Sequence, residues 1–179
     1  MKIKLEKFSY EDILELTSWI PNKEFLLQWA GPSYTLDSLE NQLKHEIDMM
    51  SEVEPKYMMF SAKSVEENET VGHIQLLWID KANLSARIGR VLVGKNEHRS
   101  RGIGLEMVNA ALDIAFNELN LHRVDLGVFD FNLPAIACYK KAGFIVEGSL
   151  RECRKMNDEY WSLLNMSILE NEYRNLINY

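Results

Sequence analysis

Positive charge is in short supply in this chain: 20 Lys and Arg stand against 27 Asp and Glu, a formal net charge of −7 at pH 7. A nucleic-acid partner therefore has no general electrostatic support, and a cationic substrate fits only weakly, because many acidic proteins are simply soluble. Cysteine is scarcer still. Cys138 and Cys153 are too few for a disulfide framework, and with no secretory context the reducing cytoplasm is the expected compartment. No apolar run approaches the ~18 residues of a membrane span, and the opening MKIKLEKFSY alternates charge with apolar residues, unlike a signal peptide. The four histidines, His45, His73, His98 and His122, have no metal-ligand spacing among themselves or with the cysteines, so no metal site is expected.

What is present is ample material for a core. Of 179 residues 46% are hydrophobic, and no repeat, low-complexity tract or linker divides them, so residues 1–179 read as one globular domain. Ile3 and Leu5 lie on one face of an alternating strand. Ser9 and Asp12 have capping-box spacing ahead of a helix running to about Trp19, although Asp stands where Glu or Gln is usual. Pro21 separates this from a second short helix, NKEFLLQWA, which stops at Gly31-Pro32. Leu36, Leu39, Leu43, Ile47 and Met50 recur at helical spacing and predict a third, amphipathic helix.

After Pro55 the pattern changes to three strands in hairpins, KYMMFSAKS, VGHIQLLWID and SARIGRVLVG. A helix over 103–119 follows, then the strand HRVDLGVF, a short helix LPAIACYKKAG closed by Gly143, and strands at about 144–152 and 160–169. The last ten residues, ENEYRNLINY, read as a surface helix or tail. The order is an antiparallel meander followed by β-α-β-α-β-β.

The stretch RSRGIG opens the 103–119 helix. On that helix Glu106, Asn109, Asp113, Asn117 and Asn120 form one narrow polar stripe, so most of its circumference is covered. Its N-terminal amides and the positive end of its dipole call for an acceptor, and phosphate is the natural one. Gly102 and Gly104 would let an anion approach main-chain N–H groups, and Arg99 and Arg101 add countercharge. Read alone, this Gly-x-Gly is more often a flexible turn into a helix. It lacks the Gly-Lys-Ser/Thr ending of a Walker A loop, and it follows a meander rather than the first strand of a dinucleotide-binding unit.

Arg99-Ser100-Arg101-Gly102-Ile103-Gly104 resembles the Gln/Arg-x-x-Gly-x-Gly/Ala loop of the GNAT superfamily of N-acetyltransferases. Asn132, Ala135, Tyr139, Gly143 and Phe144 resemble that superfamily's Asn-x-x-Ala-x-x-x-Tyr-x-x-x-Gly-Phe segment. Two motifs in the expected order are far more specific than either alone. The resemblance runs from about Val71 to Leu169, with residues 1–55 fitting by layout only. Its flavour is that of ribosomal-protein N-terminal and spermidine N-acetyltransferases. It implies an α/β (α+β) fold with a mixed, mostly antiparallel sheet of six to seven strands, flanked by helices and with a splayed central strand pair.

The resemblance also implies a chemistry: acetyl transfer from acetyl-CoA, a cosubstrate, to a primary amine on a small molecule, a polyamine or a protein N-terminus. Residues 99–104 would grip the pyrophosphate. Val91, Leu92 and Val93 would bond the pantetheine arm through their backbone, one N–H polarising the thioester carbonyl. Asn132 and Ala135 would also touch the cofactor, and Asn132 can cap the following helix with Pro134 early in it. Tyr139 would be the general acid that protonates the coenzyme A thiolate. Glu24, Glu97, His73 and His98 are candidate bases, none of them singled out.

Phe25, Leu26, Leu27 and Trp29 can line an acceptor pocket, although core is the safer assignment. Cys138 reads as a buried small hydrophobe rather than a nucleophile paired with His122. Two other classes compete with the enzyme: a noncatalytic acyl-CoA-binding or regulatory module on the same fold, and, more distantly, nucleotide-dependent phosphoryl transfer, which lacks a matched lysine and metal-binding aspartate. Oligomeric state, including a homodimer, is left open.

Overall fold

A computed structural model describes residues 2–50, 55–94 and 101–177. Seven strands form one sheet in the order β1-β2-β3-β4-β5-β7-β6. β1 (Ile3–Lys7), β2 (Met58–Ser64), β3 (Thr70–Asp80) and β4 (Ser85–Val93) are an antiparallel meander with β1 at one edge. β5 (Arg123–Phe129), β6 (Ile145–Met156) and β7 (Glu159–Leu169) form the other half, β7 lying antiparallel between β5 and β6.

The N-terminal helices are α1 (Ile13–Ser18), α2 (Lys23–Ala30) and α3 (Leu39–Met49). Ser9 and Asp12 do form the expected capping box, Asp12 accepting from the Ser9 N–H at 2.8 Å. Asn22 caps α2, its side chain accepting from the Phe25 N–H at 2.8 Å. These helices bury Leu16, Leu26 and Leu43 with Phe8, Met59 and Leu92 in one cluster. α4 (Ile103–Asp113) packs Met107, Val108, Ala111 and Leu112 into a second cluster with Ile74, Ile88, Val124 and Ile168. The polar stripe of α4 is exposed as its periodicity predicts.

The 103–119 helix differs in its last turn. Ile114–Glu118 is a π-turn in which the Leu119 N–H reaches back to the Ile114 carbonyl at 2.9 Å, and Asn120 closes it at φ 52°. α5 (Leu133–Lys141) precedes the β6–β7 hairpin, and α6 (Glu170–Ile177) ends the described chain. Tyr173 of α6 is buried against Phe116, with ring centroids 4.9 Å apart. No helix among the described residues is long and apolar enough to cross a membrane.

Two irregularities in β4 shape everything that follows. Its parallel pairing with β5 covers only Ser85, Ala86 and Arg87 against Arg123, Val124 and Asp125. Beyond Arg87, β4 stays with β3 while β5 stays with β7, so the central pair splays apart. The second irregularity is a bulge. Gln75 faces Gly89 and His73 faces Leu92, so Arg90 and Val91 together oppose Ile74. Ile88 and Leu92 are four residues apart and would share a face in a regular strand, yet they enter opposite cores, which is the signature of one inserted residue.

Candidate functional site

The splay opens a cleft of about 620 Å³. Ile88 to Val93 of β4 form one wall and Gly127 to Phe129 of β5 the other, with the start of α4 and the inner face of α5 at one end and Phe25, Gln28 and Trp29 of α2 at the other. Beyond Arg87, β4 has no partner strand on its cleft side. The Gly94 N–H bonds the Val71 carbonyl at 2.9 Å, so alternation along the strand turns Leu92 toward β3 and the Val93 main chain toward the open side.

Gly102 and Gly104 both line the cleft. Gly102 is the N-cap residue of α4 and sits at φ 82°, a left-handed conformation that favours glycine. The first bond of the helix runs from the Glu106 N–H to the Gly102 carbonyl at 3.1 Å, which leaves the N–H groups of Ile103, Gly104 and Leu105 without an intrahelical partner. Between the two glycines Ile103 packs in the core, 1% exposed. Arg101 is exposed. Arg99 and Ser100, together with Glu97 and His98, lie outside the described residues.

The second motif has a local explanation for each member. The Asn132 side chain caps α5, accepting from the Ala135 N–H at 3.3 Å. Ala135 and Tyr139 follow on the cleft-facing side. Gly143, at φ 95°, ends the helix, and a β-carbon there would lie 2.4 Å from Leu176 and 2.9 Å from Ile168. Phe144 is buried edge-on against Tyr139 with ring centroids 6.1 Å apart. Tyr139 is thus held by its own helix terminus. Burial raises its hydroxyl above the ordinary phenol range, with a smaller push from Cys138.

Cys138 is half-buried on the cleft wall rather than in the core, and burial also pushes its thiol up, Lys141 opposing. That is the reverse of what a nucleophilic thiolate needs. Of the α2 residues, Leu26 is core while Phe25 and Trp29 reach the cleft, so FLLQW contributes to both the core and the cleft wall. Glu24 is exposed in the first turn of α2 and does not line the cleft.

A buried polar chain behind the cleft has no counterpart in the motifs. Arg90, on the bulge, donates from Nη1 to Glu46 Oε2 of α3 at 2.6 Å, to Gln75 Oε1 of β3 at 2.7 Å and to the Tyr34 hydroxyl. Tyr34 in turn donates to Glu46, and its ring lies 3.9 Å from the guanidinium carbon. An arginine only donates, so the Gln75 oxygen must face it and the Gln75 nitrogen must face His73 Nε2, 2.9 Å away. His73 Nε2 therefore accepts, and the ring carries its proton on Nδ1. Burial foremost, then the Arg90 charge, lowers the His73 pKa to about 3. With its lone pair occupied and burial disfavouring its protonated form, His73 is poorly suited to take a proton from an amine. The one sequence signal for this chain of contacts was Arg90 within the otherwise apolar RIGRVLVG.

Comparison with known proteins agrees with the geometry. The acetyltransferase (GNAT) family profile matches residues 23–144, so the match begins at α2, well before Val71. An uncharacterized N-acetyltransferase p20 of Bacillus licheniformis is 31% identical over 172 residues, 96% of this chain and 95% of that protein. The spermidine N(1)-acetyltransferase of Vibrio cholerae is 29% identical over 155 residues, 86% of this chain and 85% of its own. A crystal structure of a spermidine N-acetyltransferase from Vibrio cholerae in complex with CoA and spermine superposes with a TM-score of 0.81 at 25% identity, covering 97% of this chain and 99% of that one.

Proposed function

The chain belongs to the acetyltransferase (GNAT) family, and from that premise we propose that its cleft transfers the acetyl group of acetyl-CoA directly to a primary amine of a polyamine, with Tyr139 as the general acid. The observation that carries this reading is the splay of β4 from β5, which leaves an open strand edge beside the N-terminal amides of α4 that have no intrahelical partner. The residues present fit coenzyme A. Main-chain donors at Ile103 to Leu105 suit a diphosphate, with Gly102 and Gly104 leaving room for its approach. The unpartnered edge of β4 suits an amide-bearing arm.

Acetyl-CoA supplies an activated thioester. The chain supplies orientation and charge stabilisation. A β4 N–H on the open side, at Val93 or at Val91 two residues before it, donates to the acetyl oxygen as negative charge builds there. Tyr139 gives its proton to the departing sulfur. The dry surroundings that raise the phenol also disfavour a free thiolate, so the two groups remain matched for transfer. No carboxylate lines the cleft among the described residues, so the amine loses its proton to a group outside that lining. The acceptor enters beside Phe25, Gln28 and Trp29, and the printed activities of the spermidine N-acetyltransferase relatives support a polyamine there.

Thiol release from acetyl-CoA, followed across polyamines, aminoglycosides, amino acids and N-terminal peptides, tests the proposal. Release with spermidine at saturating cofactor is the expected result. Tight coenzyme A binding with silence toward every amine would favour a noncatalytic module instead.

A further inference from the structure

Most non-glycine residues avoid a left-handed backbone, yet Arg90 holds φ 53° in the strand that walls the cleft. The strain of such a conformation is on the order of 1–2 kcal/mol, and it persists only where surrounding contacts over-determine it. Those contacts are present. Arg90 and Glu46 side chains are 8% and 18% exposed, and Glu46, Tyr34 and Gln75 hold one guanidinium from three different parts of the chain. Arg90 is also the first residue of the bulge and lies three positions beyond Arg87, the last β4 residue paired with β5. With β5 gone from its side, nothing in the sheet fixes the direction of the next amides except the bonds to β3 and this clamp.

We propose that Arg90, clamped by Glu46, Tyr34 and Gln75, is a positioning residue for acetyl transfer: it locks the β4 bulge, and so aims the main-chain donors of Val91 and Val93 into the cleft. The inference rests on the functional reading above and adds a cause for the strand's geometry. It also ties α3 to the strand that orients the thioester. Arg90 makes its contacts from behind the wall and needs no contact with the reacting atoms.

The test compares Glu46→Gln, Arg90→Lys and their double variant with Phe116→Leu, a core change at the end of the 103–119 helix, where the ring packs on Tyr173, that calibrates simple loss of stability. Glu46→Gln keeps an oxygen acceptor and removes the charge. Arg90→Lys keeps the charge and removes the fork. Each single variant should lower kcat at least about tenfold while KM for acetyl-CoA stays within about threefold, because orientation at the thioester fails while the diphosphate grip survives. The double variant should be no worse than the poorer single, since both remove one device. Phe116→Leu should lose thermal stability with kcat unchanged.

Hydrogen exchange over residues 88–94 gives a readout independent of turnover. Faster exchange there in the clamp variants, but not in Phe116→Leu, is expected. If wild type transfers acetyl to no amine, the functional reading fails, and exchange alone decides whether the clamp holds the bulge. Clamp variants with wild-type kcat, or with unchanged exchange over 88–94, would overturn the proposal.

Discussion

His73 gives the protein a quantitative acid weakness. The ring is 1% exposed and its pKa falls to about 3, against an ordinary value of 6.5. The sign follows from proton counts. Between these values the unfolded chain binds a proton that the folded chain refuses, so stability is lost as pH falls below 6.5 and regained as it rises. Integrating one proton from pH 7 to pH 5 gives a loss of about 2 kcal/mol, an order-of-magnitude figure. With a urea slope of roughly 2 kcal/mol/M, the midpoint should drop by about 1 M. Urea titrations of wild type and His73→Asn at the two pH values isolate this contribution. The variant starts from a lower baseline because it disturbs the Gln75 contact, so the pH-dependent change, not the absolute stability, is compared. Wild type should lose about 2 kcal/mol more than the variant over this interval. Equal losses would show that His73 is neither buried nor neutral as described.

Other residues make separate predictions. Tyr139→Phe should lower kcat at least about tenfold while calorimetric coenzyme A affinity is retained, and equal turnover would remove Tyr139 from the mechanism. Because burial raises that hydroxyl, rate profiles should show no alkaline loss from Tyr139 below about pH 10. Gly143→Ala places a side chain at a left-handed φ, the terminal methyls of Leu176 and Ile168 having to turn aside, and should cost roughly 1–2 kcal/mol in chemical denaturation. Glu147, bonded by both terminal nitrogens of Arg123 and by Ser167, has its pKa lowered to about 2, with the Arg123 contact as the main cause. Its support is present above the ordinary carboxylate range and fades as pH falls toward 2, so the stability gap between wild type and Glu147→Gln should narrow between pH 5 and pH 3 in urea titrations.

Much of this architecture is legible in the sequence because its signals are periodic. The α4 stripe, the meander and the Gly143 stop each follow from spacing or backbone preference. The two motifs led to one cleft although they lie on different helices, because Gly104 of α4 and Cys138 of α5 meet across it: a β-carbon on Gly104 would lie 3.7 Å from the Cys138 sulfur. The bulge was hidden, since Ile88 and Leu92 have the spacing of residues sharing one face and only the pairing register reveals the inserted residue. The Arg90 clamp was hidden too, because Tyr34, Glu46 and Gln75 are distant in sequence and unremarkable one by one. β6 runs on to Met156, past the expected end near 152, because RECRKM is too charged to resemble a central strand yet suits the sheet edge it occupies.

The central claim is that the opening between β4 and β5 holds acetyl-CoA. A crystal structure with coenzyme A tests it most directly. The account predicts a diphosphate against the main-chain amides of Ile103 to Leu105, a pantetheine arm along Val91 to Val93, and sulfur within reach of the Tyr139 hydroxyl. Coenzyme A seated anywhere else on the molecule, with the cleft left to solvent, would contradict it.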